Sequence, residues 1–295
     1  MKKVWVVCGP TASGKTRLAI ALAKIWNAEI LSADSRQVFK ELNIGVARPS
    51  EEELSAVPHH FIASESVLED FSAGKFVAKA RQFIETYFQT HSTLVICGGT
   101  GLYIRSLLEG MDRLPVSESI REEVNSLFAV DGLSALVFKL LKNDPELAAK
   151  TDLTNPRRVQ RALEWVMAGK PAKQIEEWPH DWVVEKVAPE IQRDVLYLRI
   201  NSRVDAMVAD GLWNEALNLF PYRHLNALQT VGYQELFDVM EGKCNLDFAI
   251  DKIKQHSRNY AKRQLTWFKK DQEIRWLNLQ NQAEITGDES FSQGS

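Results

Sequence analysis

The sequence predicts an α/β fold: a P-loop parallel-sheet core with a mostly helical insertion domain. Three observations lead there. Residues 9–16 read Gly-Pro-Thr-Ala-Ser-Gly-Lys-Thr, a full match to G-x-x-x-x-G-K-[ST], set between an apolar run (residues 4–8) and a helical pattern (residues 18–23). Over residues 1–110, strand-length apolar runs alternate with helix-period stretches, which argues a parallel sheet. From about residue 114 to 189, helix-period segments follow one another without a clear strand.

Taken in order, residues 4–8 (Val-Trp-Val-Val-Cys) form the first strand, because five successive apolar residues rich in valine suit a buried sheet position. Residues 16–24 form a helix behind the glycine loop, and residues 29–32 a second strand. Ser72 is placed to cap a helix running to about residue 89. Residues 94–97 form a buried strand that runs into Gly98-Gly99-Thr100-Gly101, with a helix from about Leu102. The insertion contributes helices over 119–128, 133–142, 145–149 and 156–168. The apolar signal returns at residues 194–200 (Asp-Val-Leu-Tyr-Leu-Arg-Ile), read as a strand re-entering the sheet. Helices over 203–210, 213–219, 233–240 and 246–270 follow, then a short strand at 274–277. The expected organisation is a core of residues 1–113 and 190–279, an insertion of residues 114–189, and a polar tail of residues 280–295 that frays.

Composition narrows the class. A hydrophobic content of 45% and a charged content of 25% are those of an ordinary globular enzyme. The sequence contains no evident apolar run of the roughly 20 residues that span a bilayer, so no membrane association is expected. Cys8, Cys97 and Cys244 are too few and too far apart for a disulfide framework, which suits a reducing cytoplasm and small buried side chains. Net charge is only −3, but residues 252–270 hold seven cations (Lys252, Lys254, Arg258, Lys262, Arg263, Lys269, Lys270) and no acid. Such a stripe is compatible with a polyanion at one face, and equally with a solvated helix face.

The glycine loop is the strongest chemical signal. Glycines let the backbone wrap closely, so that N–H groups and a helix N-terminus face an anion. Lys15 adds a point charge, and the Thr16 hydroxyl is placed to hold Mg2+. Nucleotide-hydrolysing enzymes add an acid at the end of a neighbouring strand. Here residues 94–97 end in Gly-Gly-Thr-Gly, with no Asp or Glu, which weakens that reading. Asp34 stands instead at the end of the second strand, able to act as a general base or to hold Mg2+ through water; a turn-capping Asp would occupy the same position. The adjacent His59 and His60 have no partner cluster for a metal and are read as structural.

Together these segments resemble the tRNA dimethylallyltransferases (isopentenyl-tRNA transferases). The matching stretches are residues 9–16, 32–37, 43–49 (Asn-Ile-Gly-Val-Ala-Arg-Pro), 57–61 (Val-Pro-His-His-Phe) and 98–103. They continue at 155–159, 161–164, 231–235 (Val-Gly-Tyr-Gln-Glu) and 260–268 (Tyr-Ala-Lys-Arg-Gln-Leu-Thr-Trp-Phe), in family order over nearly the whole chain. Where many members are more apolar, this chain has Arg36-Gln37-Val38-Phe39 after the Asp34 segment.

The resemblance implies transfer of a dimethylallyl group from its diphosphate to the exocyclic N6 of the adenosine 3′-adjacent to the anticodon. The loop would then cradle a prenyl diphosphate through Gly9, Pro10, Thr11, Ala12, Ser13, Gly14, Lys15 and Thr16, with Arg203 completing the site and Thr16 holding the metal. Asp34 and Thr100 are the implied catalytic groups. Contacts to tRNA are expected from Asp34, Ser35, Arg36, Gln37 and Thr100 near the reaction centre. Further contacts are expected from Arg121, Arg157, Arg158, Val159, Gln160 and Arg161 on the insertion, and from Lys262 and Arg263 on the last long helix. Trp267 is read as core. The implied partners are the tRNA anticodon stem-loop and dimethylallyl diphosphate, Mg2+ is the implied cofactor, and a monomer is expected. A P-loop small-molecule kinase and a non-catalytic RNA-binding protein with a relic loop are the alternatives. The kinase leaves the insertion and the basic helix unexplained, and the relic would not need Lys15, Thr16 and Asp34 together.

Overall fold

A computed structural model describes residues 1–110, 116–170, 178 and 182–278; the polar tail expected from residue 280 lies outside them. In chain order the elements are β1 (Lys2–Cys8), α1 (Lys15–Ile25), β2 (Glu29–Ser32), α2 (Glu51–Ala56), β3 (His59–His60), α3 (Ala73–Tyr87), β4 (Thr93–Gly98) and α4 (Gly101–Leu108). Then come α5 (Glu118–Asn143), α6 (Pro145–Lys150), α7 (Pro156–Met167) and β5 (Trp182–Glu190). The chain continues through α8 (Arg193–Ala209), α9 (Leu212–Leu219), α10 (Tyr233–Met240), α11 (Leu246–Phe268) and β6 (Arg275–Asn278). It divides into two compact units, Met1–Leu108 with Trp178–Ser295, and Glu109–Glu177.

The first unit is built on six parallel strands in the order β3-β2-β4-β1-β5-β6. The central strand β1 reads Val-Trp-Val-Val because both its faces are covered: Val4 and Val6 pack into one core cluster, Trp5 and Val7 into the other. Fully burying each such side chain is worth roughly 1.5–3 kcal/mol. Cys8 of β1 pairs with Gly98 of β4, and Ser32 of β2 with Cys97. That register brings the carboxyl ends of three strands to one edge, where ligands of parallel α/β sheets bind. The three turns that leave this edge hold residues 9–14, 33–37 and 98–101.

Two expectations were misplaced. Residues 194–200 are helical, lying within α8, and Leu196, Ile200 and Val204 are its buried positions. Their four-residue spacing is the helical period, which a window of seven residues dominated by Val, Leu and Ile disguises. The strand that re-enters the sheet comes earlier, as β5, paired to β1 and β6. It lies inside the range assigned to the insertion, and its polar Glu185 and Lys186 masked it. Neither α2, opened by a Ser50–Glu53 capping box, nor the two-residue β3 was anticipated. Ser72 does cap α3, its hydroxyl accepting from Lys75 N.

The second unit is helical in its described part. Val124, Leu136, Leu140, Ala148, Val159 and Leu163 of α5, α6 and α7 form its core. By mean hydropathy, 1.5 over its most apolar 18 residues, α5 is apolar and long enough to cross a membrane, contrary to the sequence expectation. It is nevertheless broken at Gly132 (φ 73°), and each piece is shorter than the roughly 20 residues a span requires.

Candidate active site

The phosphate loop joins β1 to α1 through Gly9 (φ 135°), Ala12 (φ 61°) and Gly14 (φ 93°), and Gly14 caps the helix. These left-handed conformations turn the backbone around a concavity at the helix N-terminus. Lys15 is partly buried and its Nζ donates to Pro10 O at 3.4 Å. Desolvation lowers its pKa, while Cys97 and Asp34 pull it upward. A phosphate oxygen beside the ammonium would favour the charged form more strongly. The Ser13 hydroxyl is 2% exposed with no hydrogen-bond partner, and it belongs to the same loop. Arg203 of α8 reaches the loop, its Nη1 donating to Thr11 Oγ1 at 3.4 Å. Its pKa is lowered by desolvation, while the charge of Glu53 pulls it upward.

Gln264 of α11 stitches two of the turns together. Its Oε1 accepts from Thr11 N at 2.8 Å, and its Nε2 donates to Gly99 O at 2.9 Å. A side chain at residue 99 would collide with that amide, so glycine is required there by close approach.

In the turn after β2, Asp34 Oδ1 accepts from Arg36 N at 2.9 Å and Gln37 N at 3.3 Å. Both of these turn-capping bonds go to Oδ1. Thr100 Oγ1 accepts from Ser35 N at 3.1 Å and lies 3.3 Å from Ser35 Oγ. Tyr260 of α11 hydrogen-bonds the Thr100 side chain; burial of its hydroxyl, with Asp34 adding, pushes that phenol up to about 12. Tyr260 thus stays neutral near pH 7, with a proton to donate.

Arg36 and Gln37, expected at the RNA, spend their donors on protein carbonyls. Arg36 Nη1 bonds Asn226 O at 3.0 Å and Ala227 O at 3.2 Å; Gln37 Nε2 bonds Val46 O at 3.3 Å and Ala47 O at 2.9 Å. They hold the walls of the site. The wall formed by residues 43–48 is pinned again by Glu215 of α9, whose Oε2 accepts from Ile44 N at 2.8 Å. Its Oε1 accepts from Gly45 N at 2.9 Å and Tyr233 Oη at 2.6 Å. A Cβ on Gly45 would lie 2.6 Å from the Tyr233 ring, which is fully buried. Gly45→Ala is therefore expected to lose about 1–3 kcal/mol of stability, read as a lower urea midpoint. An unchanged midpoint would mean that this wall is not pinned.

The phosphate loop, the Asp34 turn, the 43–48 wall and Tyr260 and Arg263 enclose a cavity of about 640 Å3. A small recess beside it is lined by Lys15, Thr16, Ser32, Asp34 and His59. Its hydroxyl and carboxylate oxygens are hard donors of the kind Mg2+ prefers, so the residues fit that ion. No group of three His, Cys, Asp or Glu gathers among the described residues. The histidines have structural partners, as expected: His59 Nδ1 donates to Val57 O at 2.7 Å, and His60 Nε2 meets Glu29 Oε2 at 2.5 Å. Burial pushes the Cys8 and Cys97 thiols up to about 12, which leaves them unreactive.

Within the helical unit, Asn155 caps α7, accepting from Arg158 N at 3.3 Å, and aligns its arginines. Arg158 pairs with Asp152 at 3.5 Å, Arg161 with Glu164 at 2.9 Å and Arg121 with Glu118 at 3.5 Å; Gln160 donates to Asn125 at 3.0 Å. Arg157 is exposed. Val159 is fully buried in the unit's core, so the expected contact of its side chain with RNA is corrected. The seven cations, five on α11 and Lys269 and Lys270 just past its end, are only partly available. Lys254 pairs with Asp205 at 2.6 Å and Arg258 donates to Asn201 Oδ1 at 2.6 Å, both across to α8. Lys262, Arg263, Lys269 and Lys270 are exposed. Trp267, expected in the core, is 40% exposed.

Fold and site together define a phosphate-loop protein of the parallel α/β class, with a carboxylate and a hydroxyl at neighbouring strand ends. The chain belongs to the IPP transferase family, whose sequence model matches residues 37–271. It is similar to the tRNA dimethylallyltransferase of Cytophaga hutchinsonii, 46% identical over 97% of this chain and 95% of the relative. Among solved structures, the full-length tRNA isopentenylpyrophosphate transferase from Bacillus halodurans superposes with a TM-score of 0.74 at 35% identity, covering 99% of this chain and 95% of that one. A eukaryotic dimethylallyltransferase acting on tRNA shares the fold, with a TM-score of 0.82 at 23% identity over 98% of this chain and 78% of that one.

Gln264, Tyr260, Glu215 and Tyr233 received no role from the sequence. Three of them stand in the motif stretches quoted above, and that membership was the available signal. Their partners lie far away in the chain, so the contacts were not readable.

Proposed function

We propose that this protein transfers a dimethylallyl group from dimethylallyl diphosphate to N6 of the adenosine 3′-adjacent to the anticodon in tRNA. The observation that carries the reading is one cavity lined by Thr11, Ala12, Gly14, Lys15 and Thr16 of the phosphate loop together with Asp34 and Tyr260, whose hydroxyl bonds the Thr100 side chain, with no acid after β4. The loop N–H groups, Lys15 and Arg203 hold the diphosphate. The C1–O bond breaks, the electron pair leaves with the diphosphate, and the N6–C1 bond forms. Asp34, through the oxygen not used by its turn, takes the N6 proton. Lys15 and the loop dipoles stabilise charge as it grows on the leaving group. Thr16 would hold Mg2+, which supplies further charge neutralisation when bound. The acceptor base must leave its stack to enter such a cavity. An exocyclic amine is a weak nucleophile, so alignment contributes more than basicity.

Prenyl transfer from labelled dimethylallyl diphosphate to bulk tRNA, alongside filter binding, tests this. Phosphoryl transfer from ATP to a small molecule would favour the kinase, and binding without transfer a relic loop.

Affinity for tRNA is expected to draw on the α7 arginines. Neutralising Arg157 and Arg161 together should weaken binding and reduce the slope of log K against log salt by roughly one unit per lost phosphate contact. A slope equal to that of the unmodified protein would put the RNA elsewhere.

A further inference from the structure

One face of α11 repeats an aromatic and basic pattern that the mechanism uses only at one end. Tyr260, Arg263, Gln264 and Trp267 are spaced i, i+3, i+4 and i+7, and so share a side of the helix. Tyr260 sits in the cavity at Thr100, and Gln264 is buried between the phosphate loop and Gly99. Trp267 comes next along this line, about 10 Å beyond Tyr260 at the helical rise of 1.5 Å per residue. Its indole rests against Gly101, where any Cβ would collide with it. Yet 40% of Trp267 is open, and Leu102, next in the chain to Gly101, is 47% exposed. The Arg105 guanidinium lies 5.4 Å from the Trp267 ring centroid, and that of Arg263 5.9 Å from Tyr260.

Lys262, Lys269 and Lys270, within five residues of Trp267 in the chain, are exposed, while the acids that follow, Asp271 and Glu273, are each turned onto Lys186 at 2.8 Å. An open indole beside a guanidinium, on the same helix side as the cavity-lining Tyr260, Arg263 and Gln264, suits a ligand that is flat, apolar on its faces and anionic along its backbone. A single-stranded nucleotide has that chemistry, and unstacked bases are commonly held between aromatic rings and guanidinium planes. We propose that Trp267, with Leu102 and Arg105, is the stacking platform for a base flanking the acceptor adenosine. This deepens the prenyl-transfer reading and rests on it. The acceptor enters the cavity at Tyr260, and its neighbour in the strand is caught one step outside, which keeps the loop splayed while N6 reacts.

The test uses the full chain and a short hairpin RNA carrying the anticodon loop, with two companion hairpins abasic on the 5′ or the 3′ side of the acceptor. Trp267→Ala should weaken binding of the intact hairpin about tenfold, with KM for dimethylallyl diphosphate unchanged and Trp267→Phe near the unmodified protein. On one abasic hairpin that penalty should vanish, because the base it acted on is gone. Trp267→Leu, which keeps apolar volume without a ring, should repeat the result if Trp267→Ala folds poorly. An equal penalty on intact and both abasic hairpins, or none on the intact one, overturns the platform. The two readings fail separately: absence of transfer by the unmodified protein overturns the activity, whereas the platform is judged on ratios of binding constants.

Discussion

Lys15→Ala is expected to lower prenyl transfer about 10²–10³-fold, the usual cost of removing one donor that stabilises developing negative charge. The protein should still fold. Among the described residues Nζ makes one hydrogen bond, to Pro10 O, and desolvation already works against its charge, so its removal breaks no ion pair at hydrogen-bond distance. The loss should therefore appear in kcat and in kcat/KM for the donor, with the thermal midpoint at least as high as before. Tyr260, Thr100 and Asp34 do not depend on this ammonium for their hydrogen bonds, so tRNA affinity should change little. A folded Lys15→Ala protein with near-normal transfer would end the assignment of the loop to the diphosphate.

For Asp34→Asn the expected loss is about 10²–10⁴-fold, that of a general base. The substitution is sharper than it first looks. Oδ1 of an asparagine can still accept from Arg36 N and Gln37 N, so the turn keeps both its hydrogen bonds and the walls they carry. What changes is the second oxygen, replaced by an amide that cannot take a proton. Single-turnover transfer should slow while both binding constants stay within a few-fold. If the rate holds and only tRNA binding falls, Asp34 positions the adenine and another group, or water, receives the proton.

The phosphate loop, β1, β2, β4, α1 and α3 were legible because their signals are local. The loop demands particular residues at fixed spacing, the strands are continuous apolar runs, and Ser72 caps α3 with its own side chain. The site's primary cast (Lys15, Thr16, Asp34, Thr100, Arg203) was legible through motif and resemblance, and the structure gathers these residues at one sheet edge and cavity rim. Segments whose character depends on what covers them were misread. Apolar residues in α8 look like a strand until the four-residue spacing of Leu196, Ile200 and Val204 meets a core, and β5 carries charges where it is only half-buried, Lys186 pairing with Asp271 and Glu273.

By itself the sequence determined the class of fold, the phosphate chemistry and the family likeness, since each is encoded in contiguous residues. Only the tertiary structure decided how the walls of the cavity are held. Glu215 binds a loop some 170 residues away, Gln264 joins two turns from a third element, and Trp267 stays open because Gly101 supports one edge of its ring without covering the rest. Those contacts rest on approach in space between distant elements, and such approach leaves no periodicity in the chain to read.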